Sequence, residues 1–463
     1  MDTIWCPVLP PGEGPKYLAL TRALRDAIRQ GELPQGTQLP TVRDLAWRLT
    51  VTPGTVSRAY QIATQEGLLQ ATVGRGTFVA ARQFRPGPAQ PLFVERSSPG
   101  RIDMRSPHLP EVGQSAALQD AMRRVSVRND LEWLDYPTQM DEAPLREAVC
   151  VWLADRVLGS FGPQDIMLNH GGQNGIGLVL NCCLRGDRPV VLTEELSYPG
   201  FRYAARAARA DVIGVELDHE GVRPDALEAA CRRYGAQVLC LTPSAQNPTT
   251  AHMSESRKAD IVSIAQRYNL HIIEDECYPA PSQDQPSLRA FAPDRVWYVG
   301  SLSKTVSASL RFGYVVCPTG LGEAGRLTVQ HSYFALSRLV TAPCLDLFQS
   351  GRAAGIRADV MADFSERLQI VVNCLGTFDL SWQSGLPFVW LQLPKGWRAS
   401  TFAQRSEEKG VLMRSADQYA MSHAKAPNAV RLAIAGNIAR AELESAAQTL
   451  AQLLANPPMD MAV

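Results

Sequence analysis

The stretch Val299-Gly-Ser-Leu-Ser-Lys-Thr-Val-Ser-Ala-Ser-Leu-Arg-Phe-Gly-Tyr314 sets one lysine, Lys304, among small hydroxylated residues, with Arg311 seven positions further on. Of the 46 basic residues in the chain only six are lysines (Lys16, Lys258, Lys304, Lys395, Lys409 and Lys425), so arginine carries most of the positive charge. A lysine kept in an apolar, serine-rich run points to chemistry that a guanidinium cannot do. An amine stripped of water has a lowered pKa and forms a Schiff base with a carbonyl. Ser301, Ser303 and Arg311 add two hydroxyls and a bidentate fork, the donors expected around a bound phosphate. The plain alternative is a loop lysine in solvent, the usual state of that residue.

Two upstream segments bear on the choice: Leu241-Thr-Pro-Ser-Ala-Gln-Asn-Pro-Thr249 and Leu270-His-Ile-Ile-Glu-Asp-Glu-Cys-Tyr278. The second reads as an apolar strand ending in acid and tyrosine, and an aspartate at the carboxyl end of a strand points into the crevice where open α/β sheets bind ligands. Ile166-Met-Leu-Asn-His-Gly-Gly-Gln-Asn-Gly-Ile176 reads as a strand running into a helix, and backbone N–H groups at such a helix start suit a phosphate at Gly172, Gln173 and Asn174. Tyr198 ends another strand and is suited to stacking on an aromatic ring.

These segments, in this order, resemble the fold type I aminotransferase family, from roughly residue 100 to the C-terminus. The resemblance implies pyridoxal 5′-phosphate as cofactor, held by Lys304 as an aldimine. Asp275 would partner the pyridinium nitrogen, and Asn247 and Tyr278 would hold the phenolic oxygen. Ser301, Ser303 and Arg311 would neutralise the phosphate. Tyr136, in Trp133-Leu-Asp-Tyr136, would reach the phosphate of a neighbouring subunit's cofactor, which implies a homodimer. Arg431, on the alternating run Ala429-Val-Arg-Leu-Ala-Ile-Ala435, would fork onto the carboxylate of a substrate or effector. Two positions depart from the family pattern: Gly172 stands where relatives often carry serine, and Asp141 stands where glycine is usual, close to where substrate would lie.

The elements that must position these groups alternate: Ala226 to Tyr234 as helix, Gln237 to Leu241 as strand, Ser254 to Tyr268 as helix, then His271 to Glu274 and Val296 to Gly300 as strands. That rhythm predicts an α/β fold with a mainly parallel, helix-covered sheet. A smaller C-terminal portion, from about residue 326, has long helical stretches and the strand Phe388-Val-Trp-Leu-Gln-Leu393.

The first 80 residues differ in character. Residues 14 to 82 hold nine arginines and lysines against four acids, a surplus of five that suggests an anionic partner. A helix is expected from about Pro15 to Gln30, stopped by Gly31. A short helix capped by Thr41 follows, then another with Thr52 as N-cap and Pro53 in its first turn. After Gly67, two strands turn around Gly74-Arg75-Gly76 as a wing. Two short helices joined by a tight turn match the geometry that lays a recognition helix in the major groove.

Residues 14–80 resemble the winged helix-turn-helix of the GntR family of bacterial regulators. By that resemblance Arg43, Thr55 and Arg58 contact double-stranded DNA, with Arg75 and Gly76 at the wing tip. Pro53 and Gly54 depart from the family's usual polar residues at the turn. Residues 81–100 hold prolines and glycines without periodicity and read as an extended tether, and residues 101–463 form the cofactor domain.

Composition adds limits. Net charge is zero over 463 residues, so the whole-chain balance names no partner. No apolar run reaches the roughly 18 residues needed to span a bilayer, and the chain is expected to be cytoplasmic. Ten scattered cysteines without a C-x-x-C pair give no expectation of a metal.

Joined, a GntR-type winged helix and an aminotransferase-like domain resemble the MocR/PdxR group of bacterial regulators. The implied function is a transcription regulator whose large domain senses pyridoxal 5′-phosphate, an amine or amino-acid-like effector, or both, usually as a head-to-tail homodimer. The alternative is a working aminotransferase with a DNA-binding arm, and residual half-transamination is expected even in a regulator.

Overall fold

The computed structural model describes residues 5–9, 15–65, 67–72, 76–80, 100–278, 285–421, 424–436 and 438–457. The chain divides into two units, Met1–Gln90 and Pro91–Val463. Residues 81–99 of the expected tether, and Arg75, lie outside the described residues.

The small unit has helices Lys16–Gln30, Val42–Arg48 and Pro53–Gln65, followed by the antiparallel strands Leu69–Thr72 and Gly76–Val79. Its ends follow the local chemistry read in the sequence. Gly31 closes the first helix with φ 81°, a left-handed conformation that glycine adopts without strain. The Thr41 side chain accepts the Asp44 N–H at 3.2 Å, and the Thr52 hydroxyl accepts the Thr55 N–H at 3.3 Å. Leu20, Leu24, Leu45, Val56, Ala59 and Leu69 pack into one core.

The large unit is built on a seven-stranded sheet. From one edge the strands are Ile166–Asn169, Gly313–Val316, Val296–Ser301, His271–Asp275, Val238–Leu241, Val190–Glu194 and Asp211–Val215. Only Gly313–Val316 runs against its neighbours. Its direction matters, because Arg311 just before it then emerges at the same sheet edge as Asp275 and Ser301, which end their parallel strands. Both faces of the sheet are covered. Leu239, Ile272 and Val296 pack into one cluster, while Val238, Cys240, Ile273 and Trp297 pack into the opposite one. Strands buried on both faces read as continuous apolar runs, as these do.

A second, antiparallel sheet orders Leu380–Ser381, Phe388–Gln392, Ala429–Ala433 and Arg414–Ser415. The C-terminal portion expected from about residue 326 takes its own core only from Leu368 onward. Helices Gly322–Tyr333 and Arg338–Gln349, and the first half of Arg352–Leu375, lie against the large sheet's side. Residues 102–104 join that later core, since Ile102–Asp103 pairs with Val411–Leu412 and Met104 is fully buried there.

Candidate functional site

A cavity of about 540 Å³ opens at the carboxyl ends of the parallel strands. It gathers Lys304, Asp275, Tyr278, Asn247, Tyr198, Gly172, Gln173, Ser301, Ser303, Arg311 and Arg431, residues that span most of the large unit's sequence. The sheet order explains most of the gathering: Asp275 and Ser301 end parallel strands, Lys304, Tyr278 and Asn247 lie in segments that follow them, and Arg311 comes just before the one antiparallel strand, while Arg431 comes from the middle of a strand in the second sheet.

The Lys304 amine donates to the Pro107 carbonyl at 2.8 Å. Burial lowers its pKa to about 8, with Arg431 and Arg311 adding to the fall and Cys277 opposing it. Lys258 is a useful contrast. It is also buried, 1% exposed, and donates to the Pro286 carbonyl at 3.0 Å, but it lines no part of this cavity.

Asp275 accepts from the Cys277 N–H at 3.0 Å, and burial raises its pKa above the usual carboxylate range. A cation beside it in the cavity is what would restore its ordinary acidity. Burial likewise pushes Tyr198 and Tyr278 upward, so both stand as neutral phenols. Tyr278 packs edge-on against Phe388 at 5.3 Å, and Tyr198 against Phe201 at 6.0 Å.

The phosphate-type donors lie around the start of helix Gly172–Cys183. Gly171 caps that helix with φ 89° and no side chain, and Arg311 reaches the His170 carbonyl at 2.9 Å. A Cβ at Gly171 would stand 3.0 Å from the Arg311 Nη2. A Cβ at Gly172 would clash with the Cys277 Sγ, so the thiol that follows strand His271–Asp275 occupies the space a serine side chain would enter. The Ser301 hydroxyl accepts the Ser303 N–H at 3.3 Å, while the Ser303 hydroxyl is buried without a partner.

Arg431 is 4% exposed. It donates to the Asn247 side-chain oxygen at 2.9 Å and the Arg105 carbonyl at 2.7 Å, and lies over the rings of Phe388 and Tyr419 at 5.2 and 5.1 Å.

Asn174 and Asp141 are elsewhere, and Tyr136, expected at a neighbouring subunit's cofactor, lies outside this chain's own cavity. The Asn174 N–H donates to the Gly171 carbonyl at 2.9 Å and its side chain accepts from the His170 N–H at 3.0 Å, so it braces the turn and does not line the cavity. Tyr136 is 74% exposed and stacks on Phe334 at 5.1 Å, outside the cavity. Asp141, expected near the substrate, forms a capping box with Thr138 and accepts from Arg338 at 3.1 Å. It is a helix-capping residue, and it does not narrow the cavity.

The cavity also contains groups that sequence reasoning missed: Pro107, His108, Thr242, Cys277, Arg414 and Tyr419. Pro107 contributes a carbonyl, which carries no sequence signal. Thr242 accepts the Asn247 N–H at 3.3 Å and donates to the fully buried Glu194 at 3.0 Å. Arg414 sits on a two-residue strand, too short for any periodicity to mark.

The chemistry fits a phosphorylated aromatic aldehyde. The Ser303 hydroxyl, Gln173 Oε1, Tyr419 hydroxyl and Arg431 Nε are buried without partners among the described residues, and all four residues line the same cavity. Buried polar groups ordinarily find partners, so a ligand with complementary groups is the expected one.

In the small unit, Arg43 and Arg58 are exposed, and Arg58 lies over the Tyr17 ring at 4.4 Å. Thr55 is half-buried and its hydroxyl lies 2.9 Å from that of Thr52. Gly76 is exposed with φ 110°. Trp47, 83% exposed beside Arg48, Thr52 and Thr55, was not singled out by the sequence because helix propensity says nothing of what a surface tryptophan faces. No helix among the described residues is long and apolar enough to cross a membrane, and none of them form a group of three or more metal-ligating side chains.

Comparison with known proteins agrees with both halves. The family described as Aminotransferase class I and II matches residues 109–450, and that of Bacterial regulatory proteins, gntR family, matches residues 16–79. The chain is 28% identical over 462 residues to the uncharacterized HTH-type transcriptional regulator YdeF of Bacillus subtilis, covering 97% of this chain and 96% of the relative. It is 28% identical over 310 residues to the HTH-type pyridoxine biosynthesis transcriptional regulator PdxR of Corynebacterium glutamicum, covering 65% of each. Among solved structures, an archaeal alanine:glyoxylate aminotransferase superposes with a TM-score of 0.67 at 22% identity, over 77% of this chain and 91% of that one, a likeness of fold.

Proposed function

Since the chain belongs to the class I and II aminotransferase family and joins a gntR-family segment to it, we propose that it is a MocR-type transcription regulator. Its large unit senses pyridoxal 5′-phosphate, an amine effector, or both, and its winged helix-turn-helix binds operator DNA. The observation that carries this reading is the Lys304 amine, held 2.8 Å from the Pro107 carbonyl in one cavity with Asp275 and Arg311.

Pyridoxal 5′-phosphate would be held by Lys304, with its phosphate at Gly172, Gln173, Ser301, Ser303 and Arg311. Its ring would lie by Tyr198, with Asp275 at the ring nitrogen and Asn247 and Tyr278 at the phenolic oxygen. When bound it supplies an aldehyde that condenses with a primary amine and a ring that withdraws electrons. The chain's own part begins with Lys304. At a pKa of about 8, roughly one amine in ten is uncharged at pH 7, against roughly one in three thousand at the ordinary value. The uncharged amine is the nucleophile. Asp275 would hold a proton on the ring nitrogen, and the buried tyrosines, whose pKa values are raised by burial, would keep their protons and be available as donors.

An amine effector would compete with Lys304 for the same place, and the Pro107 carbonyl is placed to accept from a Lys304 amine that is not so engaged. That exchange alters DNA binding only through contacts that differ between the two states. The segment 102–108 supports such a difference. It accepts from Lys304 at Pro107 and from Arg431 at Arg105, and it follows the proposed tether, residues 81–100, directly in sequence. We place the DNA-binding domain at 14–80 and the cofactor domain at 101–463, in a cytoplasmic, head-to-tail homodimer. Tyr136 and its exposed apolar neighbours Leu134 and Met140 support such a dimer. Arg431 would take the effector's carboxylate, and Arg43, Thr55, Arg58, Arg75 and Gly76 the DNA.

A second reading, a working aminotransferase, is favoured by one observation: Asp141 caps a helix and leaves the cavity open to substrate. The cofactor-loaded protein, mixed with a panel of amino acids and a 2-oxo acid, separates the two. The regulator reading expects at most one half-transamination per bound cofactor. Sustained turnover together with no specific DNA binding would overturn it.

A further inference from the structure

The four-stranded sheet sets Arg414 directly opposite Arg431 in antiparallel register. Side chains so paired share one face of a sheet and stand within about 5.5 Å at Cβ. The alternation in this sheet is clear. Val389, Leu391, Val430 and Leu432 enter the helix-packed core, while Phe388, Arg431 and Arg414 take the other face, toward the cavity. Like charges placed opposite one another repel.

The two guanidiniums are not treated alike. Arg431 is tied to Asn247 and to the Arg105 carbonyl and enclosed by two rings. Arg414 has no such anchor among the described residues, and its Nε is buried without a partner. Asp103, whose charge favours Arg414, is committed to Arg105 by bonds of 2.9 and 2.6 Å. The Tyr419 hydroxyl, on the same cavity wall, is also buried and unpartnered. Arg311 belongs to the other sheet, beside Gly171, so the phosphate cradle does not account for Arg414.

We propose that Arg414 and the Tyr419 hydroxyl form a second anion subsite beside Arg431, so that the effector is a primary amine bearing two acidic groups, a diacid amino acid. This rests on the effector-binding reading above. Arg431 takes one carboxylate, and the second offsets the repulsion between the paired arginines.

The test is calorimetric titration of the full-length protein, with pyridoxal 5′-phosphate, by L-glutamate and L-aspartate against L-glutamine and L-asparagine. Glutarate and its monoamide are titrated into the cofactor-free protein in parallel. Wild type is expected to prefer each acid over its amide by roughly tenfold to hundredfold, the range of a buried charge-assisted bond. Arg414→Gln should erase that preference while leaving amide affinity within about twofold, and Arg414→Lys should restore part of it. No preference in wild type, or an equal loss for acid and amide in Arg414→Gln, overturns the subsite even if the cofactor binds. A preference for glutarate that depends on Arg414, in a protein that never takes up cofactor, upholds the subsite and overturns the cofactor reading. Thermal melting guards against misfolding: removing one of two opposed charges should leave the melting temperature unchanged or higher.

Discussion

Arg43 and Arg58 are exposed on the small unit, whereas Lys304, Arg311 and Arg431 line a cavity where backbone carbonyls hold them. The first pair costs little to hold without a counter-charge, because water solvates it and the Tyr17 ring flanks Arg58. Arg431 and Lys304 are desolvated in advance, which lowers the Lys304 pKa, and the same cavity leaves groups such as the Ser303 hydroxyl without a partner among the described residues. A surface site of the first kind binds in proportion to charge and loses affinity in salt. The cavity selects by shape and by which buried groups a ligand satisfies.

The largest expected effect breaks the comparison on the cavity side. Lys304→Ala should abolish the visible absorbance of bound cofactor while leaving salt-dependent DNA affinity intact; absorbance kept in that variant would mean another amine does the work. On the surface side, Arg43→Ala combined with Arg58→Ala should lower DNA affinity by roughly a hundredfold and reduce the salt slope by about one per lost phosphate contact. Cofactor absorbance should not change.

Acidity sharpens the contrast. Lys304 reacts as the free base and its pKa is lowered to about 8, so the rate of cofactor loading should rise roughly tenfold per pH unit up to about 8 and then level off. A surface lysine would keep rising to about 10.4, and stopped-flow absorbance across pH 6 to 10 tells the two apart. Gly172→Ser should weaken cofactor binding about tenfold, by the 1–3 kcal/mol typical of overpacking, because its Cβ meets the Cys277 thiol. Adding Cys277→Ala should recover most of the loss. Smallest is Thr52→Ala, which removes the cap at the Thr55 N–H and should destabilise the small unit by about 1 kcal/mol, read by its melting and not by cofactor absorbance.

Local rules made the small unit legible. Thr41, Thr52 and Gly31 act on groups three or four residues away, and the structure uses them as the sequence implies. Lys304 and Asp275 were legible for another reason: a rare residue type, and an acid at a strand end. What stayed hidden depends on distant pairing. Arg414 acquires its meaning only opposite Arg431, and Pro107 only because residues 102–104 cross to the C-terminal core. Asn174 was misassigned because the tight first turn uses its N–H internally, and Asp141 because a capping box looks, in sequence, like any acid near a helix.

Whether one molecule links the two sites is read by a gel shift of the full-length protein on its own upstream intergenic DNA, at fixed salt, with and without pyridoxal 5′-phosphate. Specific binding is expected to change with cofactor in wild type and to stop changing in Lys304→Ala. Binding that is identical with and without cofactor in both proteins would contradict that link.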